Sequence, residues 1–225
     1  MNKISALIPY KPDHGRRDLI WSLVRRRYEQ LMPQVELCLG SDDHELFCRA
    51  KAINAAARQA TGDILMLVDI DLVFETELLD RVLATIHSEP WVIPFTNAYR
   101  LTRQATDRWL ENGLPETITF DRREIESDQV FNGAYLNVMT RSCFETVGGL
   151  DERFIGYGFE DMALAFSLDT LCGTHYRTVG NIYHLWHPWA EILHPHYQDN
   201  LALYRRYTEA AGDAAQMRTL IKERH

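Results

Sequence analysis

Residues 62–74 read GDILMLVDIDLVF: a glycine turn signal, five consecutive apolar residues from Ile64 to Val68, then Asp69 and Asp71 with one residue between them. A short unbroken apolar run of this kind is the pattern of a strand covered on both faces, as in a parallel sheet with helices packed against it. The aspartates fall where the strand runs out, and in an open α/β sheet the carboxyl edge of the strands is where ligands bind. A bend there lets Asp71 reach a cation while Asp69 stays available to a ribose hydroxyl or to orient the ion. Hard oxygen ligands suit Mg²⁺ or Mn²⁺, which bind through one or two carboxylates and substrate phosphates. By itself the pair does not separate sugar transfer from phosphoryl transfer, and a helix-capping aspartate is its plain structural alternative.

The same alternation continues on both sides. Upstream, Ile4 to Pro9 reads as a strand, and Leu19, Ile20, Leu23, Val24 and Tyr28 recur at helical spacing. Val35 to Leu39 reads as a second strand, and Leu46 to Ala60 as an alanine-rich helix stopped by Gly62. Downstream, Leu78, Leu79, Val82, Leu83 and Ile86 mark a helix, and WVIPF at 91–95 a further buried strand. This order predicts a single α/β domain on a mostly parallel central sheet. Between Asn97 and Asp128 the periodicity dissolves, which predicts a long loop for acceptor contacts or a lid. FNGAYLNVM at 131–139 then reads as a strand and TRSCFETV as a short helix; GGLDERFIGYGFED is a glycine-rich turn opening a helix over Glu160 to Leu171. A last strand near Arg177 to His184, a histidine-rich stretch and a polar helix from about Asn200 complete the chain.

Composition excludes several classes. The 225 residues are 46% hydrophobic and 25% charged, so disordered and fibrous chains drop out. A net charge of −8 argues against a broad nucleic-acid footprint, and Arg25, Arg26 and Arg27 read as a solvated helix face. The apolar runs are too short to cross a bilayer and MNKISALIPY lacks the apolar stretch of a signal peptide, so a cytoplasmic location is expected. Cys38, Cys48, Cys143 and Cys172 form no C-x-x-C pair and read as small buried residues.

The histidines cluster: five of the nine lie between His175 and His196. His184 and His187, three apart in IYHLWHP, can both turn toward one cation if the strand ends in a bend. Tyr183, Trp186 and Trp189 crowd the same region and serve equally as a sugar platform or as core.

Three stretches in order, residues 47–73 (FCRAKAINAAARQATGDILMLVDIDLV), 131–164 (FNGAYLNVMTRSCFETVGGLDERFIGYGFEDMAL) and 184–187 (HLWH), together resemble one family. They are similar to the nucleotide-diphospho-sugar transferases of GT-A fold, a Rossmann-like architecture, and within them to the β-1,4-galactosyltransferase-like C-terminal domain. The resemblance implies a GT-A domain in which residues 1–96 hold the nucleotide, 97–199 supply the acceptor and metal groups, and 200–225 form a C-terminal helix. Phe47 and Arg49 would face the nucleotide, Asp69 would hold the donor, and Gly133 would lie under its sugar. Asp71, His187 and His184 would bind Mn²⁺ (or Mg²⁺). Tyr157, where the family has a tryptophan, and Glu160 would contact the acceptor, with Asp161 the catalytic base. Pro9 and Tyr10, with Arg16 and Asp42 or Asp43, stand where such proteins cradle the base.

The implied activity is metal-dependent, inverting transfer from a nucleotide sugar, expected to be a UDP-sugar, onto an acceptor hydroxyl. A glycan, a lipid-linked intermediate, a protein or a modified nucleic-acid base could each be the acceptor. Phe159 for glycine and Met162 for an acid alter the acceptor floor and point away from N-acetylglucosamine. Backbone donors and the helix dipole at Asp161 are expected to keep its pKa low. The rival readings are a metal-dependent nucleotidyltransferase or phosphohydrolase, which leaves the GYGFED block unexplained, and a non-catalytic sugar-binding GT-A domain.

Overall fold

The apolar runs become the middle of a six-stranded sheet in the computed structural model, which describes residues 3–43, 45–128, 135–188 and 194–224. Strand β1 (Ile4–Pro9) leads through α1 (Arg16–Leu31) to β2 (Glu36–Gly40), and α2 (Arg49–Gln59) returns the chain to β3 (Ile64–Val68). β1 and β3 are buried along their whole lengths, as their unbroken apolar sequences require. Gly40 is dictated by packing: a Cβ there would stand 1.8 Å from the carbonyl oxygen of Ala52, so α2 can lie on β2 only over a glycine.

After the aspartates the chain leaves this sheet as β4 (Leu72–Phe74), turns through α3 (Glu77–Thr85) and re-enters it as β5 (Trp91–Ile93). The segment expected to be a loop is instead structured. It forms β6 (Asn97–Leu101), α4 (Arg103–Asn112) capped by the Thr102 hydroxyl, a 3-10 turn at Arg122–Glu124, and β7 (Ile125–Ser127). Its strands are short and carry charged residues, which is why no apolar period announces them. β8 (Leu136–Thr140) runs into α5 (Arg141–Thr146), and α6 (Glu160–Leu171) opens where the glycine-rich block ends. The single strand expected near Arg177 to His184 is two, β9 (Tyr176–Arg177) and β10 (Asn181–His184), in different sheets. The C-terminal helix is also two, α7 (Tyr197–Ala210) and α8 (Ala214–Lys222), parted by Gly212 at φ 82°.

The central sheet has the order β2-β1-β3-β8-β5-β9. It is mixed but mostly parallel: β1 pairs parallel with β2 and β3, and β5 with β9, whereas β8 is antiparallel to both its neighbours. The second sheet, β4-β10-β6-β7, was not foreseen from the sequence. A separate apolar cluster of Phe154, Ala163, Tyr207, Met217 and Leu220 fastens α7 and α8 to α6.

Two smaller expectations change. Arg25 and Arg26 are exposed, but Arg27 is buried and donates to the carbonyls of Pro115, Glu116 and Phe74, tying α1 to the second sheet. Cys38 and Cys48 are buried, whereas Cys143 and Cys172 are half-buried; all four are free thiols.

Candidate active site

Asp71 lies at the point where the chain passes from one sheet to the other. On a regular strand Asp69 and Asp71 would share a face. The turn at Ile70 and Asp71 parts them instead, sending each carboxylate to its own partners. The antiparallel register of β10 on β4 sets His184 opposite Leu72, and the Leu185 N–H donates to the Asp71 carbonyl at 2.8 Å. His184 Nε2 then stands 3.4 Å from Asp71 Oδ1, and His187 Nε2 stands 3.2 Å from Oδ2. One ligand atom from each of the three residues fits within 4.8 Å of the others.

The chemistry of this triad fits a divalent cation. Asp71 is 2% exposed, and its Oδ1, like His184 Nδ1, has no hydrogen-bond partner among the described residues. A buried carboxylate oxygen left orphaned is costly unless something positive meets it. His187 Nδ1 lies 2.7 Å from the Pro188 carbonyl, which takes a proton on Nδ1 and turns Nε2 toward Asp71. Burial opposes ionisation of Asp71, but His184, His187 and Arg17 overcome it and hold the carboxyl well below its usual range. Burial lowers the pKa of His184 against the pull of Asp71, favouring the neutral imidazole that a metal needs.

The second group is built around Arg49, in the first turn of α2. Its Nε donates to Asp69 Oδ1 at 2.9 Å and its Nη1 to Glu160 Oε1 at 3.4 Å, so one guanidinium joins the end of β3 to the start of α6. Burial works against the charge on Arg49, yet Asp69, Glu160 and Asp161 outweigh it. Glu160 is 7% exposed; burial, then the charge of Asp161, raise its pKa to about 7. Asp161 accepts the Met162 N–H at 2.8 Å, yet burial, which Arg49 and that N–H oppose, raises its pKa too. The expectation of a low Asp161 pKa is therefore wrong, because desolvation beats the helix-terminal donors.

With two sheets meeting at a cation-ready triad, and an arginine-bridged carboxylate group at the neighbouring helix start, the molecule can be set beside known proteins. The glycosyl transferase family 2 profile matches residues 45–145. The catalytic domain of Drosophila β1,4-galactosyltransferase 7, in complex with xylobiose, superposes with a TM-score of 0.52 at 16% identity, over 92% of this chain and 81% of that one. GalNAc-T7 with UDP, GalNAc and Mn²⁺ superposes with a TM-score of 0.57 at 13% identity, over 99% of this chain and 54% of that one. The fold is that of the GT-A glycosyltransferases. No curated protein matches it by sequence.

Within this fold the glycine-rich block is held from behind. Gly156 is at φ 76°, and a Cβ on it would stand 2.9 Å from the His194 ring, so only glycine lets that imidazole approach. His194 Nε2 contacts the Tyr157 carbonyl at 3.0 Å, and Asn200 Nδ2 donates to the Ile155 carbonyl at 3.0 Å. Phe159 stacks on Tyr204 at 5.0 Å and packs against Tyr197 at 5.6 Å, anchoring the block to α7. That leaves Tyr157, 43% exposed, to face outward.

Other residues singled out in the sequence take mixed places. Pro9 is the buried last residue of β1; Tyr10 donates its hydroxyl to Asp18 at 2.9 Å, with its pKa pushed up to about 12 by burial and then by Asp18. Phe47 is half-buried two residues before Arg49, and Asp42 receives the Cys48 N–H at 3.0 Å. Arg16 donates to Asp107 and to the Trp186 carbonyl, lying over the Trp186 ring. Tyr183 is core, stacked on Tyr99 and packed against Phe120. Gly133 and Trp189 lie outside the described residues.

Three site residues escaped sequence reasoning. Arg17 Nη2 lies 4.0 Å from Asp71 Oδ2, and Arg100 Nη2 donates to the His187 carbonyl at 2.9 Å. Tyr135 packs edge-on against His184. Arg17 follows β1 at the carboxyl edge of the sheet, which is a signal; Arg100 and Tyr135 had none.

Proposed function

We propose that the protein is a metal-dependent, inverting glycosyltransferase that moves a sugar from a UDP-sugar to an acceptor hydroxyl. The observation carrying this is the Asp71, His184 and His187 triad at the sheet edge, with buried Glu160 and half-buried Asp161 at the start of α6. A cation in the triad would supply the charge neutralisation that a departing diphosphate needs. The UDP and Mn²⁺ of the GalNAc-T7 complex support both the donor class and Mn²⁺.

In this reading Asp71, His184 and His187 are the metal ligands, and residues 1–96 hold the nucleotide through Pro9, Tyr10, Phe47, Arg49 and Asp69. Residues 97–199 supply the acceptor side and the two histidines, and Tyr157 and Glu160 contact the acceptor. The acceptor oxygen attacks the anomeric carbon from the face opposite the diphosphate. As the new C–O bond forms, the bond to the diphosphate oxygen breaks, and the acceptor proton passes to Asp161. The burial that raises the Asp161 pKa makes it a better proton acceptor at that moment than an exposed aspartate. Arg17, beside Asp71, is placed to meet the developing negative charge.

The test is incubation with Mn²⁺ and a panel of UDP- and GDP-sugars. Slow release of nucleoside diphosphate supports the reading, release of monophosphate points to a phosphohydrolase, and failure to bind any of them overturns it. Asp71→Ala should abolish Mn²⁺-dependent donor binding. Asp161→Asn should leave donor affinity within about twofold and lower transfer on the order of 10²- to 10⁴-fold. Full transfer by Asp161→Asn would remove Asp161 as the base.

A further inference from the structure

Two histidines can share one cation only if both imidazoles are held at once. His184 is held by the ladders of β10 with β4 and β6, but His187 lies three residues beyond the end of that strand. The backbone leading to it is fixed by groups from separate elements. Leu185 N–H donates to the Asp71 carbonyl at 2.8 Å, and Trp186 N–H to the hydroxyl of buried Thr106, on α4, at 2.8 Å. The Trp186 carbonyl accepts from Arg16 Nε of α1 at 2.9 Å, and the His187 carbonyl from Arg100 Nη2 of β6 at 2.9 Å.

Arg100 is the member of this set that connects the two histidines. The parallel register of β10 on β6 sets it directly beside His184, and partners in register project from the same face of a sheet. From there its guanidinium reaches the carbonyl of His187. Arg100 is 7% exposed, and a buried guanidinium next to a divalent cation is unfavourable through both desolvation and like charge unless an anion meets it. Glu126 on β7 is that anion, with Oε2 3.0 Å from Arg100 Nε.

We infer that Arg100 is a positioning residue for the metal site: anchored by Glu126, it holds His187 through its backbone carbonyl at the separation from His184 that a single cation needs. This rests on the proposed ligand triad of Asp71, His184 and His187. Hydrogen bonds behind metal ligands orient them, and their loss typically weakens metal binding about 10- to 100-fold. On this reading β6 and β7, within the stretch expected to be an acceptor loop, serve the metal.

The experiment titrates the metal-free protein with Mn²⁺ alone, reading free Mn²⁺ by electron paramagnetic resonance and counting the imidazole nitrogens on bound Mn²⁺ by its pulsed form. Arg100→Met should bind Mn²⁺ at least about tenfold more weakly than wild type, with the imidazole count falling from two to one. In a His187→Ala background the same substitution should change affinity by no more than about twofold, because the residue it acts through is already gone. Glu126→Gln, at a side chain 42% exposed where the fold tolerates the change, should lose about threefold and keeps the test open if Arg100→Met does not fold. An equal loss from Arg100→Met with and without His187 would mean that Arg100 acts on the fold at large, and would overturn the inference. Unchanged Mn²⁺ affinity in Arg100→Met, or in Glu126→Gln where only that variant folds, would overturn it as well. Wild type that binds no Mn²⁺, or binds it equally well after His187→Ala, would sink the ligand triad itself, and this inference with it, before any change at Arg100 is compared.

Discussion

Glu160 shows how a single residue's burial turns into a measurable pH dependence. Its carboxyl titrates at about 7 against an ordinary 4.5, so the folded protein holds that proton more tightly than the unfolded chain does. The stability it contributes is fully present below pH 4.5 and is lost as pH rises through about 7. Glu160→Gln should remove that slope. In urea unfolding at pH 5 and pH 8, wild type should weaken relative to the variant by on the order of 2 kcal/mol. Parallel behaviour of the two proteins would show that the carboxyl is not perturbed. At this scale the sequence showed which residues come together better than what surrounds them. Asp71, His184 and His187 were named from strand-end position, spacing and resemblance, and they stand together. The upward pKa of Asp161 was missed, because a one-dimensional pattern shows the helix start but not the packing that dries it.

At the scale of elements, the link between the glycine-rich block and α7 decides how the α6 start is presented. Phe159 occupies a left-handed backbone, φ 78°, at the N-cap of α6, with its ring on Tyr204 and Tyr197. Strain and stacking oppose each other there, and two substitutions separate them. Phe159→Ala loses the stack and keeps the strain, whereas Phe159→Gly loses the stack and releases the strain. The glycine variant should therefore be the more stable of the two by about 1 kcal/mol in denaturant unfolding. If alanine proves equal or better, the backbone at 159 is not strained. The Glu160–Leu171 helix and the Ile4–Pro9 and Ile64–Val68 strands were legible to the residue because local periodicity and turn residues specify them. β6, α4 and β7 were not, since strands this short and charged are stabilised by their neighbours rather than by their own pattern.

Across the whole molecule, α7 and α8 act as a brace at the back of the site. Asn200, 1% exposed, donates to the Ile155 carbonyl, and its Oδ1 accepts the Ile155 N–H at 3.3 Å. Tyr207 donates to Asp151 at 2.8 Å, and Arg224 donates to Tyr207 and to the Val147 carbonyl. Asn200→Ala leaves buried backbone groups unpaired and should cost about 1–3 kcal/mol. Hydrogen exchange should quicken over residues 155–159 while β1 and β3 stay protected; uniform quickening throughout would mean that the brace is global rather than local.

The α/β class, the buried strand that ends in two aspartates, the helix that opens at Glu160 and the histidine pair three residues apart were all legible along the chain. Each is written in neighbouring residues, where hydrophobic period and turn chemistry act locally. Folding added that the chain changes sheets at Asp71, that β10 lies on β4 in the register that brings His184 to that carboxylate, and that Arg49 bridges Asp69 to Glu160. Strand partners and buried charge environments belong to residues far apart along the chain, and a periodic pattern tells which face a residue occupies but not what it will meet there.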